Sequence, residues 1–462
     1  MSSENNFYLF TATMKFSWKN LCILILAMSA VPALALSPLA ADLPTRVSAG
    51  IFALALILWV TEAVPLYVTS LLILFFNAAF LAPLVPVKHT IFLAPFFSDI
   101  IALFLGGLLL AEAGHKYHID EWFADWILRF SGSKPRNILL AMMITTATLS
   151  MWMSNTATTA MMLLIAGAVI VPLGEGSDFA KAFFIGIPFS ANLGGMMTPV
   201  GTPPNAIAMQ AINNLQPGAM TFLDWMLVSC PLVILLLLIL WGLLLLQHPA
   251  PKIRITTRPD FHIRFNLQTI TVMIIFFLTV ILWLTKDFHG MTSGTVALIP
   301  AIVFLGTGIL DKRDFKNISW DVLFLVGGGL SLAVAMKEGG LNDFMIQQLP
   351  INELSLGSLM LVFILVGAVL TTFMSNTATA NLIVPLAFII PGITGLPLAI
   401  GTALAVSATM IMPVSTPPNA IAYSSGLLTM KDMVRTGFII SLIAIVVIVT
   451  LGYGWWRLLG YF

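Results

Sequence analysis

The sequence predicts an all-α integral membrane protein with about eleven transmembrane helices and two re-entrant helical hairpins, arranged as two inverted-topology repeats. Three observations predict it. Of 462 residues, 59% are apolar and 9% charged, with a mean hydropathy of +1.00, against the ~25% charge of an ordinary soluble domain. Apolar runs of spanning length recur along the whole chain. Polar motifs of the first half return in the second. The net charge of +1 offers no basic field for nucleic acid and no acidic tail. Low charge with high hydropathy excludes disorder. Cys22 and Cys230 sit in apolar runs, so neither a disulfide framework nor a cysteine-rich metal site is expected.

Single spans are expected over 21–41, 49–64, 68–84, 99–114, 222–246, 269–284, 292–306, 321–336 and 436–456. None alternates as barrel strands do. Lys15 and Lys19 precede the first run, and Ala33-Leu34-Ala35 imitates a signal cleavage site. The run continues past that site, so a retained span is expected. Basic residues cluster around Lys15 and Lys19, Lys116 to Arg136, Lys252 to Arg264, Lys312 to Lys316, and Lys431 with Arg435. A cytoplasmic N-terminus and eleven spans put every cluster inside. Trp455 and Trp456 are expected as interfacial anchors. Gly106-Gly107 and Gly327-Gly328-Gly329 read as close-packing positions, and Glu62 and Glu112 as helix-end or packing residues.

Met153-Ser154-Asn155-Thr156-Ala157-Thr158 recurs as Met374-Ser375-Asn376-Thr377-Ala378-Thr379. Thr202-Pro203-Pro204-Asn205 recurs as Thr416-Pro417-Pro418-Asn419, and Asp99 with Gly106-Gly107 as Asp321 with Gly328-Gly329. The blocks keep one order at nearly one offset. Two copies of an odd number of spans must be inverted, and polar interruptions at matching positions of such repeats point to a transporter's binding site.

The run 137–173 holds no Asp, Glu, Lys, Arg or His. As one helix it would be about 55 Å long, against a core of about 30 Å. Ser154-Asn155-Thr156 lies near its middle, and 354–391 has the same design around Ser375-Asn376-Thr377. Each run is therefore expected to fold as a hairpin whose tip stops inside the membrane. Ser, Asn and Thr are favoured N-caps, so the second arms are expected to begin at Ala157 and Ala378. Free N–H groups and the positive dipole end make an anion site there without any basic side chain. Two such tips could each hold one carboxylate of a small dianion.

Thr202 and Thr416 can cap, Pro203 and Pro417 suit a first helical turn, and paired prolines break the helix before them. The runs 183–211 and 396–424 are thus expected as broken helices. Freed carbonyls, hydroxyls and Asn oxygens suit Na⁺. One proposed site comprises Ser150, Ser154, Asn155 and the backbone near Gly201; its twin comprises Thr371, Ser375, Asn376 and the backbone near Ser415. Ser and Thr in membrane helices often only bond their own helix or a neighbour; a duplicated motif in a long uncharged run argues for more than that. Neither hairpin carries the ionisable residues usual in proton-coupled carriers, which favours Na⁺ coupling.

At these residues the sequence resembles the divalent-anion/sodium symporter family, over nearly the whole chain. The resemblance implies a bacterial inner-membrane Na⁺-coupled importer of succinate, fumarate or malate, working by an elevator cycle. It implies a lipid-embedded homodimer joined through its scaffold. In the family both Ser-Asn-Thr tips bind substrate carboxylate and Na⁺, which carries those roles to Ser154, Asn155, Thr156, Ser375, Asn376 and Thr377. Thr202, Pro203, Thr416 and Pro417 match the broken-helix positions. The expected organisation is an N-terminal helix and scaffold spans (1–136), a first transport part (137–247), a cytoplasmic linker (248–268), second scaffold spans (269–350) and a second transport part (351–462). Val200-Gly201 against Val414-Ser415 makes the two cation sites unequal.

Other classes of protein would make different demands on these residues. A passive channel would not accumulate its solute against a gradient. An intramembrane enzyme using Ser154 finds no His or Lys in either hairpin to activate it. No G-x-x-x-x-G-K occurs for ATP. A carrier of the same architecture for citrate or sulfate is the near alternative.

Overall fold

The computed structural model describes residues 17–38, 40–173, 177–215, 218–255, 265–348, 355–390, 395–413 and 415–461. Lys15, Arg258, Arg264, Val414 and both ends of the run 354–391 lie outside the described residues. The described residues form helices and turns, with no strand among them.

The first helices are α1 (Trp18–Ala35), α2 (Leu43–Thr61), α3 (Leu66–Phe76) and α4 (Asp99–Lys116). Hydropathy misplaced the first junction by several residues. Ser17 caps α1 by accepting from the Asn20 amide at 3.2 Å, and Asp42 caps α2 by accepting from Thr45 at 3.0 Å. Capping chemistry, not apolarity, fixes these ends. The third span continues from α3 through a π turn at Asn77–Leu81.

The first uncharged run folds as α5 (Pro135–Ser150) and α6 (Asn155–Ile170), and the second as α13 (Leu356–Phe373) and α14 (Asn376–Ile383). Each pair is a hairpin. The second arms begin at Asn155 and Asn376, two residues before the expected start. Ser alone takes the cap position, because each Asn side chain is engaged elsewhere. The broken helices are α7 (Asp178–Gly195) with α8 (Pro203–Leu215), and α15 (Leu396–Ala408) with α16 (Pro417–Ser424). Their breaks are longer than Thr-Pro-Pro alone predicts, because Pro199 and Pro413 interrupt the chain upstream.

Full spans α9 (Phe222–Gln247), α10 (Leu267–Leu284), α11 (Ser293–Gly306), α12 (Trp320–Glu338) and α17 (Met430–Val447) complete the set, α17 continuing to Leu458 through a second π turn. Among the described residues, ten helical runs are long and apolar enough to cross a membrane. Two of these, Asn155–Leu173 and Leu356–Phe373, are hairpin arms. Adding the shorter α11 and the two broken helices to the other eight gives eleven crossings.

The two halves interlock by inverted pseudo-symmetry. Helix α4 packs on α11 and α12 on α3. At matching positions the backbones nearly touch. A Cβ on Gly106 would lie 2.0 Å from the Ala297 carbonyl oxygen, and one on Gly328 would lie 2.2 Å from the Ser70 Cβ. These glycines are close-packing positions, as small residues are in membrane bundles. The hairpins and broken helices form a second group in which the repeats cross: α8 packs on α14 and α15, and α16 packs on α6 and α7. Trp456 is fully buried, its indole donating to the Val228 carbonyl at 3.0 Å, so it packs the core instead of anchoring at the interface.

One face gathers the basic loops. Lys116 meets Asp314 at 2.6 Å, Lys181 meets Asp432 at 3.4 Å, and the Trp241 indole donates to the Arg136 carbonyl at 3.0 Å. The ends of α4, α9 and the starts of α5, α7, α12 and α17 therefore lie together there.

The close approach is testable by two alanines in one helix. Gly106→Ala should cost about 1–3 kcal/mol as overpacking. Gly114→Ala, whose Cβ meets nothing within 4 Å, should be neutral or gain up to about 1 kcal/mol. Thermal melting of the purified protein in detergent reads both; equal melting points would contradict the packing.

Candidate functional site

Four half-helix N-termini converge on one cavity of about 270 Å³. They are the starts of α6, α8, α14 and α16. Its wall carries Ser154, Asn155 and Thr156 from one tip and Ser375, Asn376 and Thr377 from the other. Thr202 with Pro203 and Thr416 with Pro417 come from the breaks, beside Gly201 and Ser415. Every proposed substrate-contacting residue thus lines a single space. The rest of the wall is the start of α3 at Leu66, the middle of α4 from Phe104 to Ala111, and the start of α12. The start of α12 belongs to the basic face, so the cavity lies toward that side.

Among the described residues, the amides of Asn155, Thr156 and Ala157 donate to no protein acceptor, nor do those of Asn376 and Thr377. Ser375 accepts from the Ala378 amide at 3.2 Å, whereas Ser154 makes no such side-chain cap. Free N–H groups with the helix dipole behind them attract an anion. Among the described residues lining the cavity there is no Lys, Arg or His, and the single ionisable side chain is Asp321.

Of the proposed cation ligands, Ser154, Asn155, Gly201, Ser375, Asn376 and Ser415 are in the wall, and Ser150 and Thr371 stand one layer behind it. Ser150 is fully buried and donates to Asn155 Oδ1 at 2.6 Å and to the Ala191 carbonyl at 2.9 Å. Its twin Thr371, also fully buried, donates to Asn376 Oδ1 at 2.6 Å. These bonds occupy the Asn side chains and explain why Ser takes the cap. A Cβ on Gly195 would stand 2.5 Å from Asn155 Oδ1, and one on Gly201 would stand 2.5 Å from the Gly195 carbonyl. Both glycines let the break lie against the tip. Ser415, at the second position, instead donates to the Met412 carbonyl at 2.7 Å. All these donors are neutral oxygens, the set a hard monovalent cation takes, and no His, Cys, Asp or Glu cluster suited to a heavier metal occurs among the described residues.

Sequence reasoning missed what holds the breaks open. Asn205 donates through Nδ2 to the Gly195 and Thr198 carbonyls at 2.9 and 2.7 Å. Asn419 does the same for Met410 and Met412 at 3.3 and 3.2 Å. Each last residue of Thr-Pro-Pro-Asn staples the carbonyls its own break has freed. The duplication itself was the signal, since the motif keeps its Asn in both copies. Asn192 was also missed. It donates to Thr416 Oγ1 and Asn419 Oδ1, both at 3.2 Å, and so ties the first broken helix to the second break. Its repeat twin is Val406, so symmetry gives no warning of it. The Trp152 ring at the first tip stacks on Phe222 and Trp283, with centroids 6.1 and 6.3 Å away.

Inverted repeats with half-helix ends around a polar cavity define a membrane transport protein. The particular family follows from comparison: the chain belongs to the family described as the sodium:sulfate symporter transmembrane region, whose model matches residues 15–462. It is 33% identical over 457 residues to the sodium-dependent dicarboxylate transporter SdcS of Staphylococcus saprophyticus, covering 87% of this chain and 86% of that one. It is 31% identical over 421 residues to the inorganic phosphate transporter PHO87 of Saccharomyces cerevisiae, covering 86% of this chain and 45% of that one. The YdaH transporter of Alcanivorax borkumensis shares the fold, with a TM-score of 0.55 and 14% identity over 86% of this chain and 98% of that one.

The staples are testable by truncation. Asn205→Ala leaves the Gly195 carbonyl without a donor and Asn419→Ala the Met410 carbonyl, at about 1–3 kcal/mol for the orphaned group; Gly201 still donates to Thr198 and Ser415 to Met412. Either variant should melt well below wild type in detergent; an unchanged melting point would show that the breaks hold themselves.

Proposed function

We propose that this protein imports C4-dicarboxylates, such as succinate, fumarate and malate, by secondary active transport coupled to Na⁺. The observation that carries the reading is the pair of twofold-related Ser-Asn-Thr tips sharing one cavity free of basic side chains. Two dipole ends suit two carboxylates, and the paired oxygen sets beside Ser150 and Thr371 suit Na⁺, whose charge offsets that of the dianion. The likeness to SdcS supports both assignments.

The hairpins and broken helices, within 137–247 and 351–462, act as the transport domain. The spans of 1–136 and 269–350 act as the scaffold, and two scaffolds join as a homodimer. The transport domain slides past the scaffold in an elevator-type cycle. With the N-terminus cytoplasmic in the inner membrane, the basic face is the cytoplasmic one and the cavity faces inward. A tetrahedral dianion is the second reading, favoured by the family description and by the likeness to PHO87.

Purified protein in liposomes should accumulate labelled succinate when a sodium gradient points inward, and stop when Na⁺ is replaced. Succinate, fumarate and malate should compete; displacement by sulfate or phosphate alone would favour the second reading. Asn155→Ala and Asn376→Ala should each abolish uptake, with folded protein still in the membrane; wild-type uptake in either variant would refute the site. Uptake should decline as pH falls through the second pKa of succinate, and a flat profile would argue for the monoanion.

A further inference from the structure

The repeats are not electrostatically symmetric, and only one of the two twin carboxylates reaches the cavity. Asp99 and Asp321 are twins, each in the first turn of its helix, α4 and α12. Asp99 is hydrogen-bonded by its surroundings. Its carboxylate accepts a short hydrogen bond from the Thr292 hydroxyl and one from the Gly294 amide at 3.1 Å, which also ties it to the dipole of α11. Asp321 has no such partner. The chain position matching Thr292 at the start of α3 is held by Pro65, which caps α3 with no side chain. Asp321 is exposed, forms no hydrogen bond or ion pair among the described residues, and faces the cavity.

The far end of α12 differs again. There Lys337 and Glu338 line a cleft on the opposite face, with Ser98, Gln210 and Asn214. That cleft carries both signs, whereas the basic-face cavity carries one uncompensated negative charge. A fixed carboxylate opposite an anion site acts only through its field, which raises the energy of the bound anion and is screened by salt. Its other effect, favouring the N-terminus of its own helix, is met equally by Glu.

We propose that Asp321 is a release-promoting carboxylate, whose field lowers the affinity of the cavity for the substrate anion on the basic face and speeds its discharge there. This rests on the anion-transport reading above. It predicts a carrier that binds its anion more weakly at that face than the neutral tips alone would give.

The test begins with the field itself, so that it does not depend on the identity of the solute. In a background with Cys22→Ser and Cys230→Ser, Ser319→Cys places a thiol on the same cavity wall. The ratio of its modification rates by cationic and anionic methanethiosulfonates should fall about two- to fivefold with Asp321→Asn at low ionic strength. That drop should shrink with added salt and be absent in Asp321→Glu. An unchanged ratio in Asp321→Asn would overturn the proposal. In oriented proteoliposomes carrying Asp321→Asn, the half-saturating succinate concentration should fall by a similar factor at the basic face alone. Equal shifts at both faces would mark a structural effect and also overturn it. Failure of the wild type to carry succinate would sink the dicarboxylate reading, while the thiol ratio would still decide the role of Asp321.

Discussion

A helix that ends inside a membrane leaves N–H groups that lipid cannot satisfy. This chain ends four helices that way and points all of them into one cavity. That constraint explains the rest. The ends are tolerable only around a polar space, and among the described residues no lysine or arginine lines it. Helix dipoles contribute about half a charge each, so four of them come to about the charge of a dianion. The Ser150 and Thr371 hydroxyls stand behind the tips, each 2.6 Å from the Oδ1 of Asn155 or Asn376.

Opening a helix in hydrocarbon also frees carbonyls. Asn205 and Asn419 deal with these internally, each bonding two carbonyls of its own break. The cavity therefore exposes mainly donors on the tip side, because the acceptors beside them are already engaged. Glycines 195 and 201 let the first break lie flat on its tip. The second break, with Thr409 and Ser415 in their places, is built differently. Asn192 then reaches across to Thr416 and Asn419, so that the two halves form one site and not two separate ones.

Much of this was legible in the sequence. Uncharged runs too long for one crossing, interrupted by Ser-Asn-Thr, predicted both hairpins, and repeated Thr-Pro-Pro predicted both breaks. What failed had physical causes. Hydropathy does not sense caps, so Asp42 and Ser17 shifted the first two helices. The starts at Asn155 and Asn376 depended on hydroxyls five residues upstream binding the Asn side chains, a contact between hairpin arms. Trp456 read as an anchor because aromatic residues near a span end usually are. Its burial depends on α9, distant in sequence. Asn192 was overlooked because a search guided by repetition finds twins and it has none; Asp321 was found as the twin of Asp99, but repetition does not show that their surroundings differ.

The most direct measurement is an experimental density map of the protein with sodium and succinate bound. The account predicts one carboxylate within hydrogen-bonding distance of the Asn155 and Thr156 amides and the other at Asn376 and Thr377, with no basic side chain touching either. Succinate lodged elsewhere, or held by a lysine or arginine, would contradict it.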